Sequence, residues 1–227
     1  MTHHPDTAGL TNPRTAAIGK ILSERGVQAG ARIIVVGCGS GLEAAVLARQ
    51  LDAQVLGIDI VEAFSPLARP HATLQKGDAQ AMDFADGSFD VVFSYHALEH
   101  IPDPVKALQE MHRVLRPGGL YCVGTPNKAR LLGYVGGNSS LAEKIRWNLA
   151  DWRARLAGRF KNELGAHAGF TSSELQGLLL RQFSSAEPVT RPYFMNLYAQ
   201  HPKTIAFLAD SGLGQRLFPS IYFVGTR

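Results

Sequence analysis

The residues with the most to say about chemistry are a glycine triplet, two well-placed aspartates and a knot of histidines. Gly37-Cys38-Gly39-Ser40-Gly41 follows the β-branched run Arg32-Ile33-Ile34-Val35-Val36 and leads into a helical pattern over 41–51. Such a turn passes very close to a ligand, and only glycine allows that approach without a Cβ clash. The ligand then meets a helix N-terminus, whose free N–H groups favour a carboxylate or a phosphate. Asp59 closes the next apolar run, 22 positions after Gly37. From there an acidic side chain accepts hydrogen bonds from both hydroxyls of a ribose. Gly77-Asp78-Ala79 follows a third, weaker run, where Asp78 can accept from the exocyclic amine of an adenine.

A dinucleotide fits that much, which keeps a nicotinamide-dependent oxidoreductase in play. Its fingerprint is G-x-G-x-x-G/A, however, and Leu42 occupies the third position here. The observed G-x-G-x-G leaves a roomier turn that suits S-adenosylmethionine (SAM) better. His96-Ala-Leu-Glu99-His100 matches H-x-x-E-H, the inverted zinc-protease signature. Zinc binding there needs both histidines on one long helix, and Pro102 ends any helix at this point. No metal is expected. His100 is a candidate general base, because histidine titrates near neutrality. The blander alternative is that His100 bonds a backbone carbonyl and shapes the loop. His167 and Tyr95 are the second choices for the base. His3, His4, His71, His112 and His201 read as surface residues.

The elements that must position these groups alternate. Asn12-Pro13 is a cap and first-turn pair for a helix that Gly26 stops. Strands are expected over 32–37, 54–59, 72–76, 89–94 and 120–124, with weaker ones near 186–191 and 221–225. Asp103-Pro104 opens a helix that Pro117-Gly118-Gly119 closes. Thr171 and Glu174 form a capping box for a helix to about Arg181, with Phe170 and Leu175 as its hydrophobic staple. Strands alternating with helices imply a parallel sheet covered on both faces. No repeat and no linker is present, so a single α/β domain over 1–227 is expected.

Together these pieces resemble the class I SAM-dependent methyltransferases, in particular their small-molecule branch (methyltransferase type 11, typified by quinone-biosynthesis enzymes). The resemblance runs from about Val27 to Asn127, including Phe89-Asp90, Ser94-Tyr95-His96 and Arg113-Val-Leu-Arg-Pro-Gly-Gly119, and resumes over 169–180. It implies a Rossmann-like doubly wound, mostly parallel seven-stranded sheet with a helical lid insertion. It also implies SAM as cofactor and S-adenosylhomocysteine (SAH) as product. Gly37, Gly39 and Gly41 would cradle the methionine part, and Asp59 the ribose. Ile60 would pack on the adenine, Asp78 and the Ala79 backbone would read its edge, and Ser94 would close the site at the fourth strand. Methyl transfer to an oxygen of a small molecule is the expected reaction.

Composition sets the outer bounds. Hydrophobic residues make up 45% of the 227, enough for a sizeable core, and no apolar run approaches membrane-spanning length. The polar start, over 1–12, reads as a flexible tail without the layout of a signal peptide, which points to the cytoplasm. Cys38 and Cys122 are expected as buried free thiols, since another strand separates theirs. The formal charge is +4. Much of it lies in the insertion over 128–168, where Ile145, Leu149, Trp152, Leu156 and Phe160 share one face of a helical stretch and Lys144, Arg146, Arg153, Arg155 and Arg159 lie mostly elsewhere. The favoured reading is a lid whose apolar face packs over the active site. A peripheral membrane contact through 144–160, reaching an anionic or lipid-linked acceptor, is the second. RNA or protein methylation through 144–161 is weaker, because Ser94-Tyr95-His96 lacks the Pro-Pro-aromatic pattern of nucleic-acid amino-methyltransferases. A non-catalytic SAM-binding partner protein is the remaining alternative.

Overall fold

Two β-branched runs, Arg32–Val36 (β1) and Phe89–Tyr95 (β4), lie side by side at the centre of the sheet, where burial on both faces favours such residues. The computed structural model describes residues 10–134, 139–162 and 167–227. Gln54–Asp59 (β2) and Thr73–Lys76 (β3) extend the sheet on one side. Leu115–Pro126 (β5), Ser220–Thr226 (β7) and the two-residue Glu187–Pro188 (β6) extend it on the other. The order is β3-β2-β1-β4-β5-β7-β6, with β7 antiparallel to β5 and β6 and the first five strands parallel. The chain therefore reverses its direction of travel between β1 and β4. Open α/β sheets bind ligands at the carboxyl ends of strands flanking such a switch point.

Strand register delivers the functional residues to that edge. Val36 pairs with Ile58 on one side and Ser94 on the other, so Gly37, Asp59 and Tyr95 emerge together. Asp59 pairs with Lys76, and Tyr95 with Gly124, which brings in Gly77 and the chain after β5. Alternation along the strands feeds two cores. Ile33, Val35 and Phe93 pack against helices Pro13–Glu24 (α1) and Leu42–Leu51 (α2). Ile34, Val36 and Val92 pack against Pro104–Val114 (α3) and Ser172–Leu180 (α5).

The caps fall where the residue types place them. Asn12 accepts from the N–H groups of Arg14 and Thr15, Asp103 from Lys106, and Thr171 and Glu174 close their reciprocal box. Phe170 and Leu175 join the same core cluster. Cys38 and Cys122 are buried and unpaired, with β4 between β1 and β5.

Four expectations need correction. Residues 1–9 of the expected tail lie outside the described residues, but Leu10 is buried against Ala45 and Ala68, so that anchoring ends any tail before Leu10. The strand expected over 186–191 is only Glu187–Pro188, and Thr190–Leu197 is a helix (α6). Pro192 sits in its first turn, where a missing N–H leaves no bond unmade. Helices Pro202–Asp210 (α7) and Gly214–Leu217 (α8) also precede β7. The insertion helix runs Leu141–Leu156 (α4), capped by a Ser140–Glu143 box, and Phe160 is buried beyond its end rather than on its face. The largest change concerns which way α4 faces. Asn148, Asp151 and Arg155 point inward and bond the chain over 128–134, while Ile145, Leu149, Trp152 and Leu156 are exposed. The buried Arg130 guanidinium explains the reversal, since it needs a polar wall and Asp151 supplies it at 3.0 Å. Gly136 and Gly137 of the expected loop, and Gly165 and Ala166 near His167, lie outside the described residues.

Candidate active site

The glycine turn has positive φ at all three positions, +72° at Gly37, +52° at Gly39 and +79° at Gly41, but for different ends. A Cβ at Gly37 would overlap that of Ala97, and one at Gly41 would overlap the Leu74 side chain. One at Gly39 would meet nothing and point into open space. Gly37 and Gly41 thus shape the turn, while Gly39 presents backbone to a cavity. The Gly39 N–H donates to Asp59 Oδ2 at 2.8 Å, and the Val61 N–H to Oδ1 at 2.9 Å. Asp59 therefore ties the glycine turn to its own strand and stands at the mouth between them.

That mouth opens on a cavity of about 300 Å³, walled by Gly37, Gly39, Asp59, Ile60, Asp78 and Ala79 on one side. His96, His100 and Pro102 form the other side. Ile60 is 64% exposed, an apolar surface awaiting cover. Asp78 accepts from the Gln80 N–H at 2.8 Å, which holds the Gly77–Ala81 turn against the cavity. A second cavity of about 330 Å³ lies on the far side of His96. Its walls are aromatic, with Tyr95 from β4 and Tyr193, Phe194 and Tyr198 from and just after α6. Arg14, Arg130, Tyr134 and His167 line its rim.

Comparison with known proteins gives the family. A family described as a methyltransferase domain matches residues 34–123. The ubiquinone biosynthesis O-methyltransferase of Pseudomonas aeruginosa is 32% identical over 187 residues, 76% of this chain and 75% of that protein. The chain belongs to the class I SAM-dependent methyltransferases. The like-named protein of Ruegeria pomeroyi is 40% identical over 108 residues, which are 44% of this chain and only 43% of that one. In fold the methyltransferase is similar to phosphoethanolamine N-methyltransferase 2 of Haemonchus contortus, solved with SAM, at a TM-score of 0.60 and 22% identity over 92% of this chain and 51% of that one. SAM is the cofactor. The cleft suits it: Gly39 leaves room beside the backbone, Asp59 has a carboxylate at the strand end, and Ile60 offers an apolar face.

Around this methyltransferase cleft the sequence candidates for catalysis converge. The His100 and His167 rings meet edge-on at 4.7 Å, and the Tyr95 and His96 rings lie 4.1 Å apart. His100 lines the cofactor cleft and His167 the second cavity. Burial, and then the neighbouring His167, lowers the His100 pKa, so its imidazole is neutral at pH 7. Burial raises the Tyr95 pKa, so its phenol stays protonated and acts as a donor rather than a base. Ser94 is buried on β4 and lines neither cavity, and Gly41 caps α2 outside the cleft wall.

Three features carry more than the sequence reading assigns them, since it places His96 and Glu99 near the expected cofactor without a task. His96 adopts φ +50°, its N–H bonds the Gly124 carbonyl at 2.9 Å, and its side chain walls both cavities. Burial, with Arg14 and Arg130 nearby, pushes its pKa down to about 3, so it is an uncharged acceptor at any working pH. Glu99 is buried beside it, and the lost hydration raises its pKa to about 7. Its Oε1 lies 3.8 Å from His100 Nε2. Among the described residues, the buried side-chain polar atoms without a partner are Ser94 Oγ, His96 Nε2 and both Glu99 oxygens. All four atoms belong to the end of β4 and the short segment after it. The H-x-x-E-H residues are not on one helix, because only Leu98–His100 forms a single 3₁₀ turn and His96 stands outside it. Among the described residues no three such side chains gather to hold a metal ion.

Arg130 is the third feature. Only 4% exposed, it donates to the carbonyls of Asn127, Ala168 and His167 and to Asp151. It thereby locks the chain after β5, the His167 segment and α4 into one wall of the second cavity. A lone arginine before a glycine-rich stretch gives no such signal in sequence.

Proposed function

We propose that this methyltransferase transfers the methyl group of SAM to an oxygen of a small aromatic molecule held in the second cavity. The observation that carries the reading is the placement of His96 in the wall of both cavities, so that an acceptor among Tyr95, Tyr193 and Phe194 meets the cofactor cleft there. The name shared by the Pseudomonas and Ruegeria relatives supports oxygen as the methylated atom. Bound SAM supplies an activated methyl group for in-line displacement. Gly37, Gly39 and the turn set by Gly41 hold its methionine part, and Asp59 its ribose. Ile60, Asp78 and Ala79 take the adenine, and Ser94 supports the strand end between them.

The chain's own residues then align, dry and deprotonate. The aromatic walls orient the acceptor ring and exclude water. His96, uncharged, accepts a hydrogen bond without drawing off the proton. His100 takes that proton, with the Glu99 carboxyl 3.8 Å from its Nε2 and His167 against its ring. The buried, unpaired thiols of Cys38 and Cys122 are in keeping with a cytoplasmic home.

The test is label transfer from methyl-labelled SAM to a panel of hydroxylated aromatic compounds. Labelled ethers are expected, with kcat lowered roughly 100-fold or more in His100→Ala at saturating SAM. Label on amines alone, or an unaltered kcat in His100→Ala, would overturn the assignment.

A further inference from the structure

The unusual surface of this molecule is the outer face of α4. Leu141, Ile145, Leu149, Trp152 and Leu156 follow one another at intervals of three or four and form a single stripe. All are exposed, Leu141 at 74% and Leu156 at 86%. An amphipathic helix on a globular body ordinarily turns such a stripe inward. Here the inner face is already committed to polar partners. Asn148 exchanges hydrogen bonds with both backbone groups of Gly133, and Arg155 donates to the carbonyls of Lys128 and Arg130 at 2.9 Å each. Asp151 holds Arg130 and the Tyr134 hydroxyl. Rolling the helix to bury its leucines would break all of these, so the outward stripe is built in.

We propose that this face docks on an anionic phospholipid bilayer. Charge chooses the occupant. Residues 141–161 contain six basic and two acidic side chains. Both acids are spent inward or at the cap, Glu143 on Ser140 and Asp151 on Arg130. Arg146 and Arg153 flank the stripe and are exposed, and Arg159 and Lys161 are exposed just beyond its end. A second copy on the same face would set two net-positive helices against each other. A sheet of anionic headgroups accepts these basic side chains while Leu141, Ile145, Leu149 and Leu156 enter the boundary layer below, beside Trp152, whose indole N–H is held by the Leu131 carbonyl. Leu131 and Leu132, also exposed, continue the apolar surface. The Tyr134 ring rests on Trp147 at 5.1 Å, and Tyr134 and Arg130 line the second cavity. Docking through α4 therefore sets the wall of that cavity beside the lipid.

The proposal does not depend on the identity of the acceptor, and the full chain tests it without turnover. Wild-type protein is sedimented with vesicles of phosphatidylglycerol and phosphatidylcholine, and separately with phosphatidylcholine alone. Binding to the anionic vesicles only is expected. Arg146→Glu with Arg153→Glu should lower the partition coefficient at least roughly 25-fold, at about fivefold per arginine. Ile145→Gln with Leu149→Gln should lower it comparably through lost insertion. All four side chains are exposed, so thermal stability and SAH affinity should not move. Absence of anionic-vesicle binding by folded wild type, or binding untouched by both double variants, would overturn the proposal. So would a dimer in sedimentation velocity that Ile145→Gln with Leu149→Gln dissolves, which would give the stripe to a second copy.

Discussion

Replacing Glu99 by glutamine should make this protein more stable at and above neutral pH and change it little below about pH 5. The carboxyl is buried, its oxygens have no hydrogen-bond partner, and loss of hydration raises its pKa from 4.5 to about 7. A group raised in the folded state favours folding while protonated and loses that advantage as pH climbs through the folded value. Relative to a pH-insensitive amide, wild-type stability should therefore fall between about pH 4.5 and 7 and then level off. At about 1.4 kcal/mol per pH unit, ionising Glu99 in the folded chain costs roughly 3 kcal/mol. Urea unfolding of wild type and Glu99→Gln at pH 5, 6, 7 and 8 measures this. The gap in favour of the variant should widen from under about 1 kcal/mol at pH 5 to roughly 3 kcal/mol at pH 8, after any constant offset is subtracted. A gap that does not change with pH would refute the buried, unpartnered carboxyl. His100, whose Nε2 is 3.8 Å from Glu99 and whose pKa burial lowers, brings a pH dependence of its own, so Glu99→Gln in a His100→Asn background separates the two.

Other expectations follow from the same geometry. Asp59→Asn should weaken SAH binding roughly tenfold to a hundredfold, since charge-assisted bonds are worth about 1.5–3 kcal/mol, and calorimetry showing unchanged affinity would remove the ribose assignment. Gly37→Ala should destabilise the fold by forcing Ala97 away, whereas Gly39→Ala should fold with a cost near 1 kcal/mol yet lose SAH affinity. Thermal melts and titrations of the pair distinguish these, and equal effects on both would contradict the division of labour. Arg130→Ala strips Asp151 of its partner and should cost about 3–5 kcal/mol in denaturant unfolding, with less than about 1 kcal/mol counting against its role as the tie between α4 and the sheet.

The cavity proposed here for the cofactor was legible because it is local. A β-branched run, a glycine turn and an aspartate one strand later bring Gly37, Gly39, Asp59 and Asp78 to one edge by strand register alone. The capping signatures at Asn12, Asp103 and Thr171 worked for the same reason. The acceptor half was hidden because it is assembled at a distance. Tyr193 reaches Tyr95 across roughly a hundred residues, through the Tyr222 ring that both contact, and its helix opens with Thr190-Arg191-Pro192, a start easily read as the end of a strand. Burial was hidden too. Nothing in H-x-x-E-H distinguishes the sequestered His96 and Glu99 from the half-exposed His100. For α4 the apolar pattern was real and its direction was not, because hydrophobic periodicity assumes the core takes the leucines and Arg130 had already claimed the inner face for polar groups.

The claim on which the rest depends is that the Gly37–Asp59–Asp78 cleft holds SAM. Calorimetric titration of the folded chain with SAH, with NADH as the control ligand, tests it most directly. Micromolar-range binding of SAH with no heat from NADH is the expected result. Binding of NADH alone, or of neither, would contradict it.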